Sequence, residues 1–402
     1  MTTEFDIELQ QRLDALREQN LLRELRHIDS PQAPHIQIGG KPFLNFSSND
    51  YLGLANDPLL KEAAIKAIEK FGAGSGASRL ICGSLAPHHE LEETLADFKR
   101  TEAALVFSTG YAAAVGTISA LVGKDDIIVI DKLVHASIVD AAKLSGAKLR
   151  VFAHNDLDDL EKILKWAAKR IQNSKFKIQN YPRIFIVTES VFSMDGDFAP
   201  LKEIVALKEK YGAWLMVDEA HATGIFGKDG RGFAESCGVS QQIEIQMGTL
   251  GKALGASGGY ICGSRQLIDY LINRARSFIF STAPVPAAAA AATAAIHFIK
   301  SKSGEKRRNL LWDRVAQLNS TLNLQPSTPS AIIPLMIGDE NKAVQTAAAL
   351  RAQGILIPAI RYPTVARGAA RLRLTMTAAH TSEDVDQLGS ALKNLKLAIR
   401  NS

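Results

Sequence analysis

With 402 residues, 46% of them hydrophobic and 22% charged, the chain is too apolar for a disordered segment and too evenly mixed for a fibre. Its net charge of +5 comes from 47 basic and 42 acidic residues scattered along the whole length, so no basic stripe marks nucleic acid as a partner. Cys82, Cys237 and Cys262 are odd in number and far apart, which argues against a disulfide framework or a zinc site and leaves metal ligation unsupported.

The first residues carry Glu4, Asp6 and Glu8 without the basic-then-apolar order of an export signal, so a cytoplasmic protein is expected. Leu9, Leu13, Leu16 and Leu25 recur near helical spacing and predict an amphipathic helix over 5–27 that packs with the C-terminal part. After a turn-rich stretch at 45–53, short apolar runs predict strands over 104–107, 127–130, 149–152, 184–188, 214–217, 243–247 and 259–262. Helical patterns over 112–121, 137–144, 157–168 and 201–210 separate most of them. That alternation is the mark of an α/β fold with a mainly parallel seven-stranded sheet, whose ligands sit at the carboxyl ends of the strands.

The apolar stretch 283–299 contains two prolines and a histidine and is mostly alanine, so it reads as a buried helix and not as a membrane span. It leads into a smaller α+β unit with strands over 332–336, 355–357 and 370–375 and helices over 342–353 and 382–399. The domains expected are 1–45, an N-terminal helix and connection; 46–285, the large α/β domain; and 286–402, the linking helix and small domain.

Chemistry concentrates where these strands end. The run Met216-Val217-Asp218-Glu219-Ala220-His221 closes a strand with a carboxylate and, three residues on, an imidazole. A solvated loop acid is the plain alternative. The string Asp-Glu-Ala-His also occurs in nucleotide-driven helicases, but these need an upstream Gly-x-x-x-x-Gly-Lys-Ser/Thr phosphate loop. The nearest approach, Gln246 to Ala253, lies downstream and lacks both the first glycine and the final hydroxyl.

In Gly248-Thr249-Leu250-Gly251-Lys252-Ala253-Leu254-Gly255 a lysine stands among glycines and apolar residues, where desolvation disfavours its charge and suits it to act as nucleophile or base. Alone it could be a surface lysine. Together with Asp218 it is more specific, because pyridoxal phosphate needs both a Schiff-base lysine and an acid beside its ring nitrogen.

At Ser108-Thr109-Gly110-Tyr111 a strand turns into a helix whose free N–H groups would receive a phosphate, with hydroxyls from Thr249, Ser281 or Thr282 completing the cup; a tight turn explains Gly110 equally well. His135 follows the 127–130 strand and can cover one face of a ring, and His221 falls near the cofactor's phenolic oxygen if Asp218 reaches the nitrogen. His88, His89, His154 and His380 read as ordinary surface or packing residues. Gly72-Ala73-Gly74-Ser75-Gly76 follows a helical pattern and not a strand, so it is no dinucleotide fingerprint.

Four passages carry a family resemblance: Asn45-Phe46-Ser47-Ser48-Asn49-Asp50-Tyr51-Leu52-Gly53-Leu54, Val191-Phe192-Ser193-Met194-Asp195-Gly196-Asp197, Val217-Asp218-Glu219-Ala220-His221 and Thr249-Leu250-Gly251-Lys252. They resemble the α-oxoamine synthases, fold-type I pyridoxal-phosphate transferases, and the likeness covers nearly the whole chain. It implies that Lys252 bonds the cofactor and later acts as base, that Gly110 and Tyr111 contact it, that His135 stacks on it, and that Ser193, Asp218, His221 and Thr249 orient it. It also implies a homodimer with sites at the interface, where Ser281 and Thr282 reach the other subunit's phosphate.

Arg23, His135 and Thr364 match substrate-facing positions, and Arg373 matches the arginine that clamps the amino-acid carboxylate. The passages 280–284, 360–365 and 370–375 favour members that condense L-alanine with a pimeloyl thioester, carried by coenzyme A or a carrier protein. Members that acetylate glycine are similar through much of the first domain. A non-catalytic relative would have no need to keep Lys252, Asp218 and His135 together.

Overall fold

The computed structural model describes residues 3–19, 21–172, 182–324, 326 and 328–395. The chain divides into two compact units, one made of residues 1–48 and 314–402 and the other of 49–313. In chain order the elements are α1 (Glu4–Glu18), β1 (His35–Ile38), β2 (Lys41–Asn45), α2 (Pro58–Phe71), α3 (Ala86–Lys99), β3 (Ala103–Phe107), α4 (Gly110–Leu121), β4 (Ile127–Asp131), α5 (Ala136–Ser145), β5 (Lys148–Phe152), α6 (Leu157–Gln172) and β6 (Ile184–Glu189). They continue with α7 (Leu201–Tyr211), β7 (Trp214–Asp218), α8 (Phe233–Cys237), β8 (Ile245–Thr249), β9 (Gly259–Gly263), α9 (Arg265–Arg274), α10 (Arg276–Ile279), α11 (Pro286–Lys300) and α12 (Lys302–Thr321). The last are β10 (Ile332–Gly338), α13 (Glu340–Ala352), β11 (Ile355–Leu356), β12 (Ala359–Ile360), β13 (Ala370–Thr375) and α14 (Ser382–Asn394).

The larger unit is built on a seven-stranded sheet in the order β3-β9-β8-β7-β6-β4-β5. Only β9 runs antiparallel to its neighbours. Every residue of β3, β4 and β6 is buried, as unbroken apolar runs such as Ile127-Ile128-Val129-Ile130 require when helices cover both faces of a parallel sheet. The chain order reverses between β4 and β6, because β4 leads outward to β5 whereas β6 leads back through β7 to β8. Such a switch point leaves a crevice at the carboxyl ends of the strands.

The smaller unit holds two three-stranded sheets, β1-β2-β11 and β10-β13-β12. Its first strands form a hairpin in which Ile38 pairs with Lys41 across Gly39 and Gly40, both at positive φ, as a two-residue turn demands.

Three sequence expectations need correction. The N-terminal helix ends at Glu18 and buries none of its residues, leaving Phe5, Leu9, Leu13 and Leu16 exposed. The strand expected over 243–247 lies at Ile245–Thr249, because a helical turn at Ser240–Gln242 delays its start and Thr249 belongs to the strand itself. The alanine-rich helix α11 lies in the larger unit, where its small side chains allow close packing on α2 and α3. Residues 396–399 of the helix expected over 382–399 lie outside the described residues.

Candidate active site

Glycine and caps place the first residues of the site. Thr109 caps α4, accepting a hydrogen bond from the N–H of Ala112 at 3.0 Å, so Gly110 and Tyr111 open a helix whose first N–H groups have no partner within the helix. There is no room for a side chain at Gly110, where a Cβ would stand 2.6 Å from Cγ2 of Thr249. Gly259, paired in register with Thr249, would carry a Cβ 2.6 Å from the backbone of Gly110, and so its lack of a side chain lets α4 start directly over the sheet. Thr249 Oγ1 is buried and has no hydrogen-bond partner among the described residues. A hydroxyl and free helix N–H groups side by side form a cup for an anion.

His135 caps α5: its Nδ1 accepts from the N–H of Ser137 at 3.2 Å and lies 2.8 Å from Ser137 Oγ, which fixes the plane of the ring. Burial lowers its pKa, so the imidazole is neutral at pH 7 and presents a flat, uncharged face. The N–H of His135 donates to the Glu189 carboxylate at the end of β6.

Asp218 ends β7, 6% exposed, with Oδ1 accepting from the N–H of Ala220 at 2.9 Å. Burial raises its pKa, opposed by Lys252, by that N–H and by His135. Three residues on, His221 joins two groups: its Nε2 is 2.7 Å from Lys252 Nζ and its Nδ1 is 2.6 Å from the hydroxyl of Tyr51. The lysine loop is held by Gly255, at φ +61°, whose Cα approaches the Leu54–Ala55 backbone so closely that a Cβ would stand 2.5 Å from it.

Gly110, Tyr111, His135, Asp218, His221, Thr249 and Lys252 thus line one cleft of about 160 Å³, which Glu189, Ser137 and Met247 complete. Ser193 is buried in the β6–α7 loop, and Ser281 and Thr282 precede α11; none of the three lines the cleft in this chain. Within the smaller unit, Arg23 donates to Thr364 Oγ1 at 3.3 Å, and Arg373, buried in β13, donates to Thr375 Oγ1 at 3.0 Å.

Sequence reasoning missed Glu189, although it closes an apolar strand as Asp218 does, and it gave Tyr51 no role. It also passed over His154, which is ion-paired through Nδ1 to Asp131 at 2.9 Å and through Nε2 to Asp197 at 2.7 Å. Burial opposes the charge, but the two carboxylates together raise its pKa to about 10. This imidazolium ties the end of β4, just ahead of the connection that carries His135, to the β6–α7 loop, which carries Ser193.

Residues 41–392 match the family model for aminotransferase class I and II, and the chain belongs to that family. It is similar to an 8-amino-7-oxononanoate synthase of Geotalea daltonii, 47% identical over 388 residues that span 95% of this chain and 96% of the relative. Serine palmitoyltransferase from S. paucimobilis, solved with a bound PLP–myriocin aldimine, shares the fold at a TM-score of 0.87 and 32% identity, covering 98% of this chain and 97% of that one. The 8-amino-7-oxononanoate synthase of Francisella tularensis gives 0.72 and 29% over 88% of this chain and 98% of its own. No helix among the described residues is long and apolar enough to cross a membrane.

Proposed function

We propose that this chain is a pyridoxal-phosphate acyltransferase that joins the α-carbon of L-alanine to the acyl carbon of a pimeloyl thioester. Carbon dioxide and the thiol, coenzyme A or a carrier protein, are released, and the product is the 8-amino-7-oxononanoate for which its relatives are named. The observation that carries this reading is the convergence of Lys252, His221, Asp218 and His135 with the anion cup on a single cleft.

The residues fit the cofactor. The buried, unpartnered hydroxyl of Thr249 beside the start of α4 suits a phosphate, and a buried carboxylate at Asp218 suits a protonated ring nitrogen. When bound, pyridoxal phosphate supplies an electron-withdrawing ring that stabilises negative charge on the amino-acid α-carbon.

Lys252, positioned by His221 and through it by Tyr51, removes the α-proton and later returns one. Asp218 keeps the ring nitrogen charged, and His135 shields one ring face from water. Arg373 takes the carboxylate of alanine in a bidentate grip, and Arg23 with Thr364 meets the acyl chain. The reading includes a cytoplasmic homodimer, and exposed Leu80, Ile81 and Phe280 on the larger unit are apolar side chains that a second subunit would cover, bringing Ser281 and Thr282 to its site.

Product identification by mass spectrometry tests the proposal. Alanine with pimeloyl-CoA or pimeloyl carrier protein is expected to give 8-amino-7-oxononanoate. Product formed only from glycine with acetyl-CoA, or only from serine with palmitoyl-CoA, would overturn the substrate assignment.

A further inference from the structure

Glu189 and Asp218 stand side by side, paired in register on the parallel strands β6 and β7. Both side chains reach the same cleft, at 2% and 6% exposure. Among the described residues, the groups that act most strongly on Glu189 are the Asp218 carboxylate from β7, the Lys252 amine from the loop after β8, the N–H of His135 ahead of α5, and Asp131 at the end of β4. Asp131 is already ion-paired with His154.

Among the described residues, Lys252 is the cation that faces both of these adjacent buried carboxylates, and one positive charge cannot balance two negative ones. Such a pair holds one proton between them at neutral pH. Asp218 has the better claim to the charge, because Lys252 and the N–H of Ala220 favour its ionised form. At Glu189, burial and the Asp218 charge both favour the acid.

We propose that Glu189 is a positioning residue that acts as a neutral carboxylic acid. Its carbonyl oxygen accepts from the N–H of His135 and so sets the ring that covers the cofactor, while its retained proton leaves Asp218 the one anionic side chain among the described residues lining the cleft. The role rests on the cofactor reading above; the protonation state does not.

Two measurements on the full-length protein test it. The infrared spectrum of the wild type at neutral pH should contain the carbonyl band of a protonated carboxylic acid, and Glu189→Gln should remove that band; its absence from the wild type overturns the proposal. The cofactor dissociation constant should change less than about threefold in Glu189→Gln, because an amide replaces a neutral acid. Asp218→Asn should weaken binding by about 100-fold or more, the loss expected when one partner of a buried charge pair is removed. A Glu189→Gln loss as large as that of Asp218→Asn, with normal binding by the wild type, refutes the neutral acid. Failure of the wild type to bind pyridoxal phosphate instead refutes the cofactor reading.

Discussion

Replacing Gly110 by alanine places a methyl group 2.6 Å from Thr249 Cγ2, where ordinary contact begins near 3.4 Å. The overlap of nearly an ångström falls on the cup at the start of α4. Thr249 can relieve it by turning about χ1, but this moves Oγ1 away from the anion, and otherwise the helix start must lift. Overpacking of this kind costs about 1–3 kcal/mol, and with tenfold in affinity per 1.4 kcal/mol, cofactor binding should weaken by about 5- to 140-fold.

The obstructing atom is a side-chain methyl, so Thr249→Ser, which keeps the hydroxyl and deletes Cγ2, should restore most of the affinity in the double variant. Gly259→Ala meets backbone atoms of Gly110 and Thr109 at 2.6 Å, and the serine substitution should not rescue it. Fluorescence titration of the cofactor into the apoprotein reads all four variants, with urea unfolding as the control for stability. Wild-type affinity in Gly110→Ala, or a double variant as weak as the single one, would refute the reasoning.

The buried pair Lys99–Glu219, 2.5 Å apart and 1% exposed on each side, also supports the loop after β7. Lys99→Met strands the carboxylate and should cost roughly 3–5 kcal/mol in urea unfolding, whereas adding Glu219→Gln should recover part of that loss. His154 carries a raised pKa, so the stability it confers is complete below its unfolded value of 6.5 and is lost as pH rises through about 10. His154→Asn should remove about 2 kcal/mol at pH 6 and little above pH 10, a difference that urea midpoints across pH would detect.

Most of the larger unit could be read from the sequence because its strands are apolar runs that end in chemically distinctive residues. Ile184 to Thr188 and Trp214 to Val217 could hardly be anything but buried strands. Lys252 and Asp218 stood out because both follow such runs, and the sheet order then explains why residues 34 apart in sequence share a cleft.

Glu189 was lost because a single acid after a strand is ambiguous until its neighbour across the sheet is known. The tie between His154, Asp131 and Asp197 was invisible for the same reason: it joins the end of one strand to two loops, and no spacing along the chain encodes it. The β1–β2 hairpin did leave a signal, Gly39-Gly40 between Ile38 and Lys41, that the strand pattern alone did not exploit. Leucine spacing overstated the N-terminal helix, since an amphipathic pattern can continue past the point where anything packs against it.

The account depends above all on the amine of Lys252 being the group that bonds the cofactor. Borohydride reduction of the purified protein, followed by peptide mass spectrometry, locates that bond. The mass of reduced pyridoxal phosphate on the peptide containing Lys252 is the predicted result. An adduct on another lysine, or none in a protein loaded with the cofactor, would contradict the account.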